Sequence, residues 1–442
     1  MVVQSRYLVL LTVLFLGGLS GCSAQDVDQR LDKENEENVE NNENITEEPV
    51  TIKIARYFED DEAWESRVGK LEEDLPNIKF ERIPYENTSE SLQELFAAGV
   101  KPDIIIGPIE PLKELEVIEP LDELIERHNF DLDSLNPALM KTARSLTAEG
   151  KIVGFPDNKT FSALYYNKNV FDLFGVSYPD PDAPMTWQEV IDLAAKMTGE
   201  RNGMEYIGMT HGPFAGFGPG NWPFSELATN MTDPETGEVD IQDNPALKQY
   251  FELMADYYNI PGAHDPNREG DWFLEGKAGM YIAQGNYLDL IEDVSVLGAI
   301  DMVPIPVWED KPDVGPFNGF WTLTITNYSE HKDEAFQVLE AYVSEKHQLS
   351  VSESGVMGSV LADPKLDERY ASQSPAYEGK NREVFFALQS ATYGDTISQW
   401  DEYVDVGEAV TEIAETEKDV NTILRELEEK SAAKIKEAME AD

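Results

Sequence analysis

The residues best suited to chemistry in this sequence are aromatics set among turn-forming residues, next to amides and carboxylates. Tyr57 and Glu59 follow a strand-like run, Val50 to Ala55. Phe214 and Phe217 stand in a stretch rich in glycine and proline, His211 to Asn221, which Trp222 follows. Asn286 and Tyr287 follow Gly285, and Asn318 and Trp321 flank Gly319 and Phe320. Tyr393, Trp400, Asp157 and Asn158 complete the set. Aromatic faces of this kind stack on the apolar face of a sugar ring, while carboxylates, amides and arginines bond its hydroxyls. The same faces can cage a cation. Core packing is the alternative use of each aromatic, and a plain exposed turn is the alternative for each polar residue.

Catalytic patterns are missing. The five histidines, His128, His211, His264, His331 and His347, make no H-E-x-x-H and no other close pair, which speaks against a zinc site. The mature chain holds no G-x-S-x-G. Gly276-Lys277 is followed by Ala278, with Gly270 one residue off P-loop spacing. Asp233 to Asp240 has calcium-like acidic spacing but fails the EF-hand loop and reads as a hairpin turn. No metal or cofactor is expected, and the chain reads as a non-enzyme. A glycosidase needs only two carboxylates across a cleft, so a surface polysaccharide-degrading enzyme is the catalytic alternative.

The elements that must position these residues are legible in order. Val50 to Ala55 alternates as a strand, a helix spans about Glu62 to Leu75, and Ile78 to Ile83 is a second strand. Ser89 to Ala98 is a helix with Gly99 after it, and the apolar run Pro102 to Gly107 is a central strand. This alternation predicts an α/β fold with a parallel sheet and a cleft beyond the strand ends, near Tyr57, Phe58, Glu59, Gly107 and Pro108. Gly150 to Lys168 reads as a hairpin, a polar proline turn and then an apolar strand, Phe161 to Tyr166, where the chain crosses from one core to another. Thr186-Trp187-Gln188-Glu189 is a capping box and Asn244-Pro245 opens a helix to about Tyr258. Trp222 to Asn230 reads as helix, Phe273 to Ile282 as a helix end passing into a strand, and Met302 to Pro306 as a return crossing. Phe317 to Thr326 is a strand and Ser329 to Ser344 an amphipathic helix.

At 442 residues the chain holds two ordinary domains. Its 86 acidic and 34 basic residues give a net charge of −52, which repels nucleic acid and anionic lipid. Cys22 is the single cysteine, so no intrachain disulfide forms. Arg6, the apolar run Leu8 to Leu16 and Leu19-Ser20-Gly21-Cys22 resemble a bacterial lipoprotein signal peptide with its lipobox. That resemblance implies cleavage before Cys22 and a lipid on its thiol. Residues 22–49 then form an acidic tether too polar to fold.

From Val50 onward the chain resembles the extracellular solute-binding proteins of sugar ABC importers. The resemblance rests on Gly150 to Lys168 with Thr186-Trp187, Phe273 to Tyr287, Asp301 to Pro306 and Asn318 to Val343, in this order behind a lipobox. It implies a two-lobe clamp of the periplasmic-binding-protein type (type II) with discontinuous lobes, residues 50–157 with 301–345 and residues 158–300 with 346–442. It further implies a monomer, anchored outside the cell membrane, that delivers a carbohydrate, most simply an oligosaccharide, to membrane permease subunits. A receptor for a cationic or zwitterionic solute is the alternative suggested by the charge. The maltodextrin-binding branch, carried over position by position, sets Tyr287 where it has a sugar-stacking tryptophan and Thr160 where it has an acidic residue. Gly107-Pro108-Ile109-Glu110 replaces that branch's aromatic and Asp-Arg pair, so the clamp carries over and maltodextrin specificity does not. With the residues read directly from the sequence, the candidate ligand-binding set is Tyr57, Glu59, Thr160, Phe214, Phe217, Trp222, Asn286, Tyr287, Asn318 and Trp321.

Overall fold

The computed structural model describes residues 49–57, 61–210, 221–265, 267–317, 319–394 and 396–441. Cys22, Glu59, Phe214, Phe217 and Asn318 lie outside them. Along the described chain the strands are β1 (Val50–Tyr57), β2 (Ile78–Tyr85), β3 (Ile104–Gly107), β4 (Phe155–Pro156), β5 (Ser162–Asn167), β6 (Gly199–Arg201), β7 (Met204–Met209), β8 (Ala278–Gln284), β9 (Ile300–Pro304), β10 (Val314–Gly315), β11 (Thr322–Ile325) and β12 (Gln389–Ser390). They build two five-stranded sheets, ordered β2-β1-β3-β11-β4 and β6-β7-β8-β5-β9, and a small β10-β12 pair.

In the first sheet β1 runs parallel to β2 and β3, as strand–helix alternation predicts. Of the strands added by later segments, β11 runs antiparallel to β3 and to β4, so β4 runs in the direction of the first three. Ile104, Ile105 and Ile106 are fully buried in the central β3, the place an unbroken apolar run demands. One core covers the sheet face of Ile52, Ile54 and Ile104, and a second covers Ala55 and Ile105 on the other. The helix Lys332–Tyr342 lays Ala335, Phe336, Val338 and Leu339 into the first of these.

The second sheet begins five residues beyond β4. β5 lies between β8 and β9, antiparallel to both, and is buried from Ala163 to Asn167. Cores again cover both faces. The capping box forms as read: Glu189 N–H donates to Thr186 Oγ1 at 3.2 Å, and Thr186 N–H donates to Glu189 Oε2 at 2.8 Å. Asn244 Oδ1 likewise accepts from Ala246 N–H at 3.0 Å to start the helix Pro245–Tyr258.

Several boundaries differ from the sequence reading. The helix expected over Glu62 to Leu75 stops at Arg67 and continues as a tighter 3₁₀ turn, Gly69–Glu73. Only Trp222–Ser225 is helical in the stretch expected to run to Asn230, because Ala228 turns to a left-handed φ of 43°. Phe273 to Gly276 is a turn rather than a helix end. A lobe boundary at 301 would cut through β9, which hydrogen-bonds β5, so the return to the first sheet comes after Pro304. The switch expected at 346 also falls later, since Val351, Met357 and Val360 pack into the first core.

Candidate functional site

A cavity of about 500 Å³ opens where the two sheets' segments meet. The first sheet supplies Arg56 near the end of β1, Asp157 just after β4, and Trp321 just before β11. Arg56 continues the inward register of Ile52 and Ile54, so a cation stands where the strand alternation calls for an apolar residue. Its side chain is 1 % exposed and that of Asp157 is 0 %, with Nη1 and Oδ2 3.8 Å apart. The guanidinium also lies 5.7 Å from the centroid of the Trp321 ring. Asp157 N–H donates to the Trp321 carbonyl at 3.0 Å. A buried ion pair and a backbone bond thus hold the indole at the cavity wall.

The facing wall belongs to the second sheet. Gln284 ends β8, and Gly285 and Asn286 follow it into the cavity lining with Trp222, Ser225 and Tyr370. Gly285 is not among the glycines with a left-handed φ. Its small size is needed instead for close approach, as a Cβ there would come within 2.7 Å of the Tyr370 hydroxyl. Behind the Trp222–Ser225 turn, Trp187 Nε1–H donates to the buried Glu226 at 2.7 Å. Burial pushes the Glu226 carboxyl well above the usual range, against the pull of the indole N–H and of Lys311.

The floor is the crossing itself. Lys159 and Gly358 exchange backbone hydrogen bonds of 3.1 and 2.9 Å. Lys159 Nζ reaches Asp367 at 2.6 Å and lies 5.0 Å from the Phe161 ring centroid. Burial raises the Asp367 carboxyl's pKa, and the Lys159 ammonium pulls it back. Gly358 has no room for a side chain, as its Cβ would meet the Lys159 carbonyl at 2.5 Å.

Of the residues singled out from sequence, Thr160, Trp222, Asn286 and Trp321 come together in this cavity, with Asp157 and Asn158. Tyr57 is the last residue of β1, next to Arg56. Phe317 and Gly319, on either side of Asn318, line the cavity. Tyr287 does not join the lining. It packs among Tyr165, Tyr281 and Phe273 at 5.1, 5.0 and 6.3 Å between ring centroids, where burial drives its phenol pKa upward. Tyr393 stands perpendicular to Phe317 at 5.0 Å, and Trp400 packs on Tyr403. Arg56, Arg67, Lys159, Gln284, Phe320 and Tyr370 line the cavity without having been read as site residues. Only Arg56 carried a sequence signal, its charge in an apolar register. Among the described residues no cluster of His, Cys, Asp and Glu is arranged to hold a metal ion.

Two α/β lobes joined by short crossings, with an aromatic- and amide-lined cavity between them, define a ligand-binding clamp. The chain belongs to the bacterial extracellular solute-binding protein family, whose model matches residues 57–349. A putative binding protein of Brucella abortus is 24% identical over 381 residues, 81% of this chain and 86% of its own. An arabinooligosaccharide-binding protein of Halalkalibacterium halodurans is 27% identical over 210 residues, 45% of each chain. Among solved structures, a sugar transporter of Rhizobium etli in an open conformation superposes with a TM-score of 0.68 at 20% identity, over 87% of this chain and 99% of its own. An ABC substrate-binding protein of Listeria monocytogenes in complex with cycloalternan gives 0.68 at 18% identity, over 88% and 99%. The fold is therefore the two-lobe, type II binding-protein fold, and the family is one of extracellular binding proteins.

Proposed function

We propose that this solute-binding protein captures a neutral carbohydrate between its lobes and hands it to the permease of an ABC importer, held at the outer face of the cell membrane by a lipid on Cys22. The observation that carries the reading is the pairing across one cavity of Trp321, seated over the Arg56–Asp157 pair, with Trp222 and Asn286 from the other lobe. Aromatic faces with charged and amide hydrogen-bonding groups between them suit a ring that is apolar on its faces and hydroxylated at its edge. The sugar-binding relatives support this choice. A cationic ligand is disfavoured by Arg56, Arg67 and Lys159 in the lining, whatever the charge of the rest of the chain. Capture without turnover fits a cavity whose Asp157 is engaged by Arg56 and a family of binding proteins.

A ligand that touches both walls does so fully only when the lobes close, so binding shifts the population toward the closed form. Small-angle scattering should give a smaller radius of gyration with saturating sugar than without. An unchanged radius at saturation would argue for a rigid receptor. For the anchor, Cys22→Ser should leave the protein unprocessed or release it from the membrane fraction. A variant that is matured and still membrane-bound would remove the lipidation reading.

A further inference from the structure

The turn that presents Trp222 to the cavity is a helix of only four residues, Trp222–Ser225. A helix so short closes few of its own bonds and does not stand by itself. The N–H groups of Ser225, Glu226 and Leu227 donate to the carbonyls of Asn221, Trp222 and Phe224 at 3.0, 3.2 and 3.0 Å. The carbonyls of Pro223, Ser225 and Leu227 are met from another part of the chain. Trp308 Nε1–H donates to Pro223 at 2.9 Å, Phe317 N–H to Ser225 at 3.2 Å, and Lys311 Nζ to Leu227 at 3.2 Å. All three donors belong to the return segment that follows β9. That segment is itself fastened at the start of the helix Trp187–Met197. There Val307 N–H donates to the Met185 carbonyl at 2.9 Å, and the Val307 carbonyl accepts from Trp187 N–H at 3.0 Å.

Trp308 is 7 % exposed and packs in the same core as Trp222, Phe224 and Leu227. It lines not the ligand cavity but a separate one of about 570 Å³, with Thr186 and Leu253. Its indole is a donor with no acceptor role, so the bond to Pro223 has one direction. Without it a buried carbonyl would be left unpaired. We propose that Trp308 is a positioning residue of the ligand site: its indole N–H, together with the Lys311 ammonium, holds the Trp222 turn in place from outside the cavity. The same segment runs on through Phe317 to Trp321, so one stretch of chain sets the aromatics of both walls. This rests on the reading of Trp222 as a wall of the sugar site. It goes beyond that reading in naming residues that set the wall's place without touching ligand.

The test combines fluorine NMR with calorimetric titration on the full chain. Labelling with 5-fluorotryptophan gives seven resonances, and Trp222→Phe identifies the one from Trp222. Without ligand, that resonance should broaden or split in Trp308→Phe and in Lys311→Met, because the turn has lost a donor. Lys311→Met does so without changing the core, and Lys311→Arg, which keeps a cationic donor, should restore one sharp signal. Titration uses α-1,5-arabinotriose, α-1,4-glucotriose and β-1,4-mannotriose. For the sugar that binds, Trp308→Phe and Lys311→Met should be at least tenfold weaker than wild type, and Lys311→Arg within threefold of it. Tyr257→Phe is the control, since its hydroxyl donates to the Met209 carbonyl at 3.2 Å elsewhere in the same core. It should lower the urea midpoint and leave both the Trp222 signal and the affinity unchanged. A sharp Trp222 signal in Trp308→Phe and Lys311→Met would overturn the proposal. So would wild-type affinity beside a broadened signal, or a Tyr257→Phe variant that matches Trp308→Phe in both readouts. If none of the sugars binds, the carbohydrate reading fails, while the ligand-free spectra still decide whether Trp308 positions Trp222.

Discussion

Trp321→Ala should weaken sugar binding by roughly ten- to a hundredfold, about 1–3 kcal/mol, the loss expected when a well-packed aromatic anchor is removed from a binding surface. The ring is half-buried and lines the cavity, with the Arg56 guanidinium 5.7 Å from its centroid. It is half-buried rather than part of either core, so the ligand-free protein should lose only about 0.5–2 kcal/mol of stability. Trp321→Phe keeps a stacking face and should recover most of the affinity. Calorimetric titration and urea unfolding on the same two variants read both quantities. Near-normal affinity with a large loss of stability would reassign Trp321 to packing.

The second large effect lies beneath that ring. Arg56→Met should destabilise the ligand-free protein by about 3–5 kcal/mol, because it leaves the fully buried Asp157 carboxylate without its cation. Asp157→Leu should cost a similar amount by removing the carboxylate beside the buried Arg56 guanidinium. The double variant, Arg56→Met with Asp157→Leu, should regain most of the loss, since a buried ion pair replaced by apolar groups of similar volume is often neutral. Sugar affinity should not return with stability, because the double variant has lost the cation that seats Trp321. Urea midpoints across the four proteins measure the coupling. Additive single losses would show that the two charges act separately.

The framework was legible because local rules and the core agree. The unbroken run Ile104 to Ile106 could only be central, and Thr186 to Glu189 could only start a helix. The first crossing was legible from a polar turn set between two apolar strands. The closing segments were not, because nothing local distinguishes β9, which stays in the second sheet, from a crossing strand. The same holds for Val351 and Val360, whose core is chosen by tertiary contact. The site divides in the same way. Trp222, Asn286 and Trp321 were marked by their turns, and turns at strand ends do face the cavity. Tyr287 had the same marks one residue further on, yet its ring goes into the Tyr165–Tyr281–Phe273 cluster. Which of two adjacent turn residues faces a cavity depends on backbone direction, and glycine at 285 is fixed by Tyr370, a residue 85 positions away. Lys159 and Tyr370 carried no local sign of their place, since the bonds to Gly358 and Asp367 that set the floor span some 200 residues.

The most direct test is a thermal-shift titration of the soluble chain from Val50 onward. It would use neutral oligosaccharides and, in parallel, polyamines and betaines, each at about 20 and 500 mM salt. A ligand bound only by the folded state adds about 2.7 kcal/mol of stability at a free concentration of 100 Kd. Binding of an uncharged sugar at a half-buried aromatic should barely respond to screening. A neutral oligosaccharide should therefore raise the melting temperature by the same amount at both salt concentrations, and polyamines should not. Stabilisation by polyamines or betaines alone, fading at high salt, would contradict carbohydrate capture between the lobes.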